Sequence, residues 1–162
     1  MGPPPTEKVA VILERRVLGG RWGGDRWELL GVVPDVGGKA REIVSGKDAS
    51  QWLHPGYELQ LRRDEAEGYY LNASSDQPSV FVSLRQGEGD ERPSPFQCTL
   101  SYNEAARWMD SNERVERVPA WPELAAWMGQ WVEENYRPEP KKRRRPRSFE
   151  GKEGQLREKS GS

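Results

Sequence analysis

Period-two alternation of apolar and polar residues in the middle of the chain constrains the fold more than any other sequence feature. It runs through residues 57–62, 80–85 and 96–100. In a strand, successive side chains point to opposite faces, so an alternating segment presents one apolar face and one polar face. This pattern predicts antiparallel strands that cover a single core. The positions predicted to share apolar strand faces are Tyr57, Leu59, Leu61, Val80, Val82, Leu84, Phe96, Cys98 and Leu100.

Two further strands are predicted before these segments. In residues 8–16, Val9, Val11 and Leu13 share one face. Residues 27–33 are apolar on both faces, which is typical of a central strand. The rest of this half is predicted as connections: residues 34–55 as loop with a short helical turn near 47–53, residues 63–68 as an acidic hairpin turn, and residues 69–72 as continuing strand.

A short helix is predicted after the last alternating segment, over residues 102–110. Ser101 stands at the N-cap position and Glu104 at the third helical position, which is the spacing of a capping box. Ala105, Trp108 and Met109 then fall on one face of the helix. Since no general base follows the serine, we interpret Ser101 as a helix start rather than a nucleophile.

A second helix is predicted over residues 122–136. Pro122 suits the first helical turn, and an apolar stripe at helical spacing follows it. Such a stripe usually faces a core. We therefore expect its members to lie in the core: Leu124, Trp127, Met128, Trp131 and Val132.

Together these elements predict an α+β fold. We expect an antiparallel, strongly bent or barrel-like sheet of about five to seven strands. The helix over 122–136 should pack on the sheet, and the helix over 102–110 should be the second, shorter one.

Charge divides the chain into a body and a tail. Residues 137–162 hold 10 basic and 4 acidic residues, a net charge of +6, whereas the body holds 15 basic and 22 acidic residues, a net charge of −7. The tail has no apolar periodicity, which predicts disorder. The predicted organisation is a disordered or extended lead-in over 1–7, one globular domain over 8–136 and a basic disordered tail over 137–162.

The chain shows no sign of export or membrane insertion. It has no apolar run long enough to span a bilayer, and its first residues lack the pattern of a secretion signal. Its single cysteine, Cys98, excludes an internal disulfide and fits a reducing compartment. We predict a cytoplasmic location.

The residues that could carry catalysis are few and scattered. His54 is the only histidine and is far in sequence from Cys98, so the two do not predict a usual zinc site. Cys98 shares a face with apolar residues, which favours a buried, inert thiol. The glycine-rich stretches over 19–26 and 31–40 lack phosphate-loop spacing. We predict no catalytic residues, no metal site and no cofactor.

The candidate interaction residues are two aromatic side chains and two charged groups. The acidic residues near 64–67 are either a solvated turn or a group able to hold a divalent ion or to serve as an acid and a base. The basic run near 141–147 is either a solubilising end or a segment that attracts an acidic partner, without sequence-specific nucleic-acid binding. The candidates are Trp22, Trp27, Asp64, Glu65, Glu67, Lys141, Lys142, Arg143, Arg144 and Arg145.

A string of motifs resembles an uncharacterised bacterial family that carries only a domain-of-unknown-function label. The resemblance covers roughly residues 8–149. The genes of this family commonly lie beside those for molybdenum-dependent formate dehydrogenase, and some of its members are labelled molybdopterin-guanine dinucleotide biosynthesis proteins. The motifs are WELLGVV, RRDEAEGYYLN, PSVFVSLR, TLSYNEAARWMDS, VERVPAWPELAAWMGQWVEENYRPEP and RRRPRSF.

The resemblance implies a setting in the assembly, maturation or regulation of a molybdoenzyme. Our first hypothesis is a non-catalytic accessory or binding protein whose partner is formate dehydrogenase or one of its maturation factors. The alternative is a protein that handles a small ligand or the molybdenum cofactor, an enzyme included, with its site near Trp22, Trp27 and the acidic turn. The sequence does not specify an oligomeric state.

Overall fold

The computed structural model describes residues 2–19 and 23–138 of the chain. The described part holds seven strands, three α-helices and a 3₁₀ turn over Arg63–Glu65, so the α+β class and the strand number are confirmed. In chain order the elements are β1 (Thr6–Val17), β2 (Asp25–Pro34), β3 (Arg41–Val44), β4 (Ala49–Gln60), α1 (Ala66–Ala73), β5 (Ser79–Arg85), β6 (Ser94–Thr99), α2 (Tyr102–Asp110), β7 (Arg114–Pro119) and α3 (Pro122–Asn135).

The strands form two antiparallel sheets. The larger sheet has the order β2-β1-β4-β3 and the smaller one has the order β6-β5-β7. Every pairing between the described strands is antiparallel, as the alternation predicts. Neither sheet closes into a barrel within the described residues.

The core is built from the apolar faces of both sheets and from α1 and α3. Alternate residues of β1 and β5 supply its centre, in agreement with the predicted faces. The helix α3 adds its buried stripe, and α1 adds Tyr69, which is fully buried. Buried core side chains include Val9, Val11, Leu13, Val80, Val82, Leu84, Leu124, Met128 and Val132.

The edges of the two sheets meet where β7 runs beside β2. One Glu116 carboxylate oxygen accepts from the Leu29 amide at 2.8 Å, and the other pairs with Arg114. The Arg114 guanidinium in turn donates to the Trp27 carbonyl. These side chains satisfy backbone groups that an edge strand leaves open. In the strand order of the larger sheet, β2 is at the edge. The prediction that residues 27–33 form a central strand is therefore wrong.

Three of the predicted connections are also wrong. Residues 41–44 and 49–60 are strands, so much of the predicted loop over 34–55 is sheet. Residues 63–73 form a 3₁₀ turn and a helix rather than a hairpin turn and a strand. A buried clamp favours the helix: the Asn72 side chain donates to the Ser79 and Leu100 carbonyls, both at 2.8 Å, and accepts from the Ser79 amide at 2.9 Å. Tertiary contacts of this kind override local propensity.

Two residues on predicted apolar faces are exposed: Phe96, predicted to share a strand face with Cys98, and Met109, predicted to share a helix face with Ala105. The pairing of β6 with β5 shifts by one residue beside Pro95, and that shift turns Phe96 outward, 46% exposed. The Arg85 guanidinium covers the Phe96 ring at 3.4 Å. Met109 on α2 is 51% exposed, whereas Ala105 on the same helix is buried. A bulge reverses side-chain direction, which alternation alone does not reveal.

The chain start is extended and joins the larger sheet. β1 begins at Thr6, and the carbonyl of Pro5 accepts from the Leu61 amide at 3.0 Å. None of the helices in the described ranges has the length and apolar character needed to cross a membrane. The domain boundaries and the cytoplasmic location stay predictions.

Candidate functional site

Ser101 is the N-cap of α2, as the capping pattern predicts. Its hydroxyl oxygen accepts from the Glu104 amide at 2.9 Å, which satisfies one of the open donors of the first turn. The same hydroxyl donates to the Glu65 carboxylate at 2.6 Å. Since both its hydrogen-bonding roles are used and the side chain is fully buried, the structural interpretation of Ser101 is supported.

In a capping box the side chain at the third helical position also accepts from the backbone amide of the N-cap residue. Here a third residue, Thr99, mediates that second contact. The Glu104 carboxylate does not reach the Ser101 amide directly. Instead, the Thr99 hydroxyl accepts from that amide at 3.0 Å and donates to Glu104 at 2.6 Å. Arg62 completes the group by donating to Glu104 at 3.3 Å. These polar groups are thus occupied in holding α2 against β6.

The three acidic candidates share no partner residue. Asp64 is exposed and pairs with Arg62 at 3.7 Å. Glu65 is buried and binds Ser101 and the Arg107 guanidinium. Glu67 accepts from an Asn103 side chain at 3.2 Å. They do not converge, and the described part of the chain holds no group of three His, Cys, Asp or Glu side chains suited to a metal ion.

Glu65 explains why this region folds as it does. A buried carboxylate is costly unless it is paired and hydrogen-bonded. Here a hydroxyl and a guanidinium, both supplied by residues of the α2 region, meet that need. The carboxylate therefore joins the start of α1 to α2, and we assign it a structural role.

Trp27 lies away from the acidic residues. It lines a polar recess of about 360 Å³ at the junction of β2 and β7, which we call the Trp27 recess. None of the three acidic candidates lines it. Trp22 and the basic residues Lys141, Lys142, Arg143, Arg144 and Arg145 lie outside the described residues. The recess is lined by Asp25, Arg26, Trp27, Glu28, Gln86, Pro93, Arg114 and Glu116.

The two groups considered for metal or nucleophilic chemistry lie on different strands. Burial raises the pKa of the Cys98 thiol to about 12, which keeps it protonated and agrees with an inert thiol. His54 lies on β4 and not in a loop, and it is buried. Burial and the nearby Arg92 guanidinium lower the pKa of His54 below 6.5, so the imidazole is neutral at pH 7.

An apolar groove that sequence reasoning missed lies between α2 and the outer face of the smaller sheet. We call it the α2–β7 groove, and its volume is about 220 Å³. Its helical side is a stripe at positions i, i+3, i+4 and i+7, which was the available sequence signal. The groove is lined by Phe81, Tyr102, Ala105, Ala106, Met109, Val115, Glu116 and Arg117.

Exposure and charge give the groove its character. Tyr102 and Met109 are 48% and 51% exposed on its helical side. The Tyr102 ring packs edge-on against Phe81, at 6.0 Å between centroids. Arg117 lies over the other side of Phe81, at 5.1 Å, and bonds to the Ser79 hydroxyl at 3.1 Å. The groove can take an apolar side chain next to a cation.

Arg117 is the uncommitted charge of the groove. In the described part of the chain it forms no ion pair with a carboxylate. The carboxylate of Glu116, by contrast, is bound to Arg114 and to the Leu29 amide. A ligand with a negative group beside its apolar part therefore matches this surface.

Comparison with known proteins gives one match. The family described as "Protein of unknown function (DUF3305)" matches residues 8–145. No curated protein and no solved structure matches the chain.

Proposed function

This chain belongs to the DUF3305 family, and we propose that it is a non-catalytic binding protein that docks a protein partner in the α2–β7 groove. The observation that carries the proposal is the groove itself, an apolar surface with two exposed large side chains and an arginine, Arg117, that has no carboxylate partner among the described residues. We further propose that the setting is the assembly, maturation or regulation of a molybdoenzyme such as formate dehydrogenase. That setting rests on the family resemblance of the sequence motifs.

The size of the groove limits what enters it. A volume of about 220 Å³ suits one or two side chains rather than a whole cofactor. In protein interfaces a few anchor residues in such pockets carry most of the binding free energy. The partner segment that fits presents an apolar anchor with an acidic residue beside it, which pairs with Arg117.

The other polar clusters support binding over catalysis. The hydroxyl of Ser101 and the carboxylates of Glu65 and Glu104 are engaged in holding α1, α2 and β6 together. A nucleophile and its base need a free reacting atom in a cleft. These groups instead have internal partners, which is what a scaffold requires.

A substitution pair tests the proposal. Met109→Lys places a charge in the groove, and Val36→Lys places the same charge on a side chain that is 75% exposed elsewhere. Binding to purified formate dehydrogenase and to each purified maturation factor is measured by biolayer interferometry. We expect Met109→Lys to weaken binding at least about tenfold, roughly 1.4 kcal/mol, and Val36→Lys to leave it unchanged.

A charge reversal checks the polarity of the partner. Arg117→Glu should weaken the same complex, and the loss should shrink as salt screens the charges. Melting curves of each variant confirm that the domain is folded. Equal binding by the wild type and both groove variants would remove the groove from the proposal.

The second candidate function, handling of a small ligand or of the molybdenum cofactor, rests on the Trp27 recess. The Trp27 ring and the Arg26 guanidinium, which both line this recess, are groups that contact flat or anionic ligands. A thermal-shift screen with nucleotides, molybdopterin-type ligands and metals tests it. A large shift that Trp27→Ala abolishes would favour this candidate over protein docking.

A further inference from the structure

His54 is a buried residue with one unsatisfied ring nitrogen in the described part of the chain. It is 8% exposed, and its Nε2 atom is buried and unbonded within the described residues. It pairs across the sheet with Val11, a core residue, so its side chain points to the inner face of the larger sheet. Buried polar atoms are nearly always bonded, so an exception asks for a physical reason.

The cover over His54 is the connection between β5 and β6, residues 86–93, which we call the β5–β6 loop. A tight turn gives it shape: the Asp90 carboxylate accepts from the Gly87 amide at 2.9 Å, and Gly89 has a φ of 89°. Its Arg92 guanidinium lies over the Trp52 ring of β4, at 3.7 Å from the ring centre. That contact holds the loop on the strand that carries His54.

Loop and strand enclose a recess of about 320 Å³. His54 forms one wall, and the rest comes from the loop and from the start of β6. The lining residues are His54, Asp90, Glu91, Arg92, Pro93 and Ser94. The β5–β6 loop therefore supplies most of the lining of the recess.

We propose that His54 is a proton-operated latch: protonation of its imidazole releases the β5–β6 loop from β4 and opens the recess. A proton on a buried imidazole creates a poorly solvated cation. The neighbouring guanidinium of Arg92 repels that cation. Departure of Arg92 from the Trp52 ring would relieve this repulsion with the least disturbance of the core, because it breaks one cation–π contact between two partly buried side chains.

The charges around His54 favour opening rather than tightening. The loop places Asp90, Glu91 and Arg92 at the recess. Asp90 already binds the Gly87 amide within its own turn, and Glu91 is exposed. On the neighbouring strands, β1 opposes His54 with Val11, and β3 places the exposed Arg41 and Glu42 opposite Leu53 and Trp52. The Arg41 guanidinium donates to the Gly37 and Lys39 carbonyls. Arg92 is the charged side chain that acts on the imidazole.

The direction of the pH effect follows from these contacts. Burial first and Arg92 second lower the pKa of His54 below its ordinary 6.5. The closed loop is therefore fully favoured above about pH 6.5 and loses that advantage as the pH falls through the lowered pKa. Mild acid opens the recess, and neutral pH closes it.

Two measurements on the full chain test the latch. Because His54 is the only histidine, its imidazole NMR signals are unambiguous, and we expect them to titrate below pH 6.5. Hydrogen exchange of residues 86–93, corrected for intrinsic rates, should speed up at least about tenfold between pH 7.5 and pH 5.0. Exchange in β1 should stay unchanged, which separates loop opening from global unfolding.

Two variants test whether His54 and Arg92 cause the pH dependence of the loop exchange. His54→Gln should make the loop exchange independent of pH over this range. Arg92→Gln should raise the pKa of His54 toward 6.5 and speed loop exchange already at pH 7.5, since the Trp52 contact is gone. The proposal is overturned if His54 titrates at or above 6.5, if acid slows the loop exchange, or if wild type and His54→Gln respond alike. The NMR titration of the wild type decides the matter even where a variant fails to fold.

Discussion

At the scale of single residues, Ser101 shows how a local signal acquires a second task. The capping pattern is local, and the structure has the hydroxyl bonded to the Glu104 amide. The same hydroxyl also meets the buried Glu65 carboxylate, which comes from a segment 36 residues earlier. One side chain thus caps the first turn of α2 and also donates a hydrogen bond to a buried carboxylate.

Ser101→Ala should therefore cost more than an ordinary cap. Loss of a cap alone costs about 1 kcal/mol, and leaving Glu65 short of a partner adds about 1–3 kcal/mol. We expect a total of about 2–4 kcal/mol, measured by urea unfolding, with partner binding by the folded variant unchanged. A cost near 1 kcal/mol would mean that the bond to Glu65 contributes little.

Gly68 supplies the control for this prediction. A Cβ atom at Gly68 would lie 2.0 Å from the Ser101 hydroxyl oxygen, so Gly68→Ala should destabilise the wild type. Removing that oxygen leaves the Ser101 Cβ at 3.0 Å as the nearest atom of residue 101. Gly68→Ala should hence cost less in a Ser101→Ala background, and a double-mutant cycle measures the difference. Additive costs would contradict the close approach.

Cys98 yields a prediction about reactivity. Burial raises the pKa of the Cys98 thiol to about 12, so the thiol stays largely protonated at pH 9. We expect iodoacetamide to label the folded chain far more slowly than the chain in urea, where the thiol regains its ordinary pKa. Equal rates in the two states would show that the thiol is not buried as described.

At the scale of elements, α3 shows that residues on the same apolar stripe can be buried to different depths. The predicted stripe does face inward, but its members differ. Met128 and Leu124 are fully buried, whereas Trp127 and Trp131 are only partly buried against the core. Trp131 packs edge-on against Tyr69 of α1, at 5.5 Å between ring centres. The tryptophans thus cover the core more than they fill it.

The ranking of alanine substitutions along α3 follows from this. Met128→Ala removes a fully buried side chain and should cost about 3 kcal/mol. Trp127→Ala removes a larger but only partly buried ring and should cost about 1–2 kcal/mol, below the 3–5 kcal/mol of a buried tryptophan. Urea unfolding of both variants tests the order. A larger cost for Trp127→Ala would place that ring in the core, as the sequence predicts.

At the scale of the whole molecule, charge separates the body from the tail. The body carries a net charge of −7 and residues 137–162 carry +6. The hydrophobic core is assembled from residues 9–132. Stability should therefore reside in the body, while the basic segment acts on partners through long-range attraction.

Deletion of residues 141–162 tests that division. We expect an unchanged melting temperature, because the core residues all precede the deletion. We also expect slower association with the partner, most clearly at low ionic strength, since steering by charge acts mainly on the association rate. A truncated chain that associates at the wild-type rate in low salt leaves the tail as a solubilising end. A lowered melting temperature would mean that the tail folds back on the body.

The sequence by itself determined the features that depend on neighbouring residues. The faces of β1 and β5, the start of α2 at Ser101 and the inward stripe of α3 follow from periods of two and 3.6 and from capping chemistry. These signals need no knowledge of distant contacts. The scarcity of histidine and cysteine, two residue types that often carry catalysis or bind metals, is likewise read directly from the sequence, which holds one of each.

Only the tertiary structure decided what depends on residues far apart in the chain. The apolar β2 lies at a sheet edge because Glu116 and Arg114 of β7 satisfy its backbone. The helix over residues 66–73 is favoured because the Asn72 side-chain amide donates to the Ser79 carbonyl at the start of β5 and to the Leu100 carbonyl just before α2. The α2–β7 groove and the recess at His54 each join segments distant in sequence. Pairing energies between distant segments select among local options of similar free energy, so no local pattern contains them.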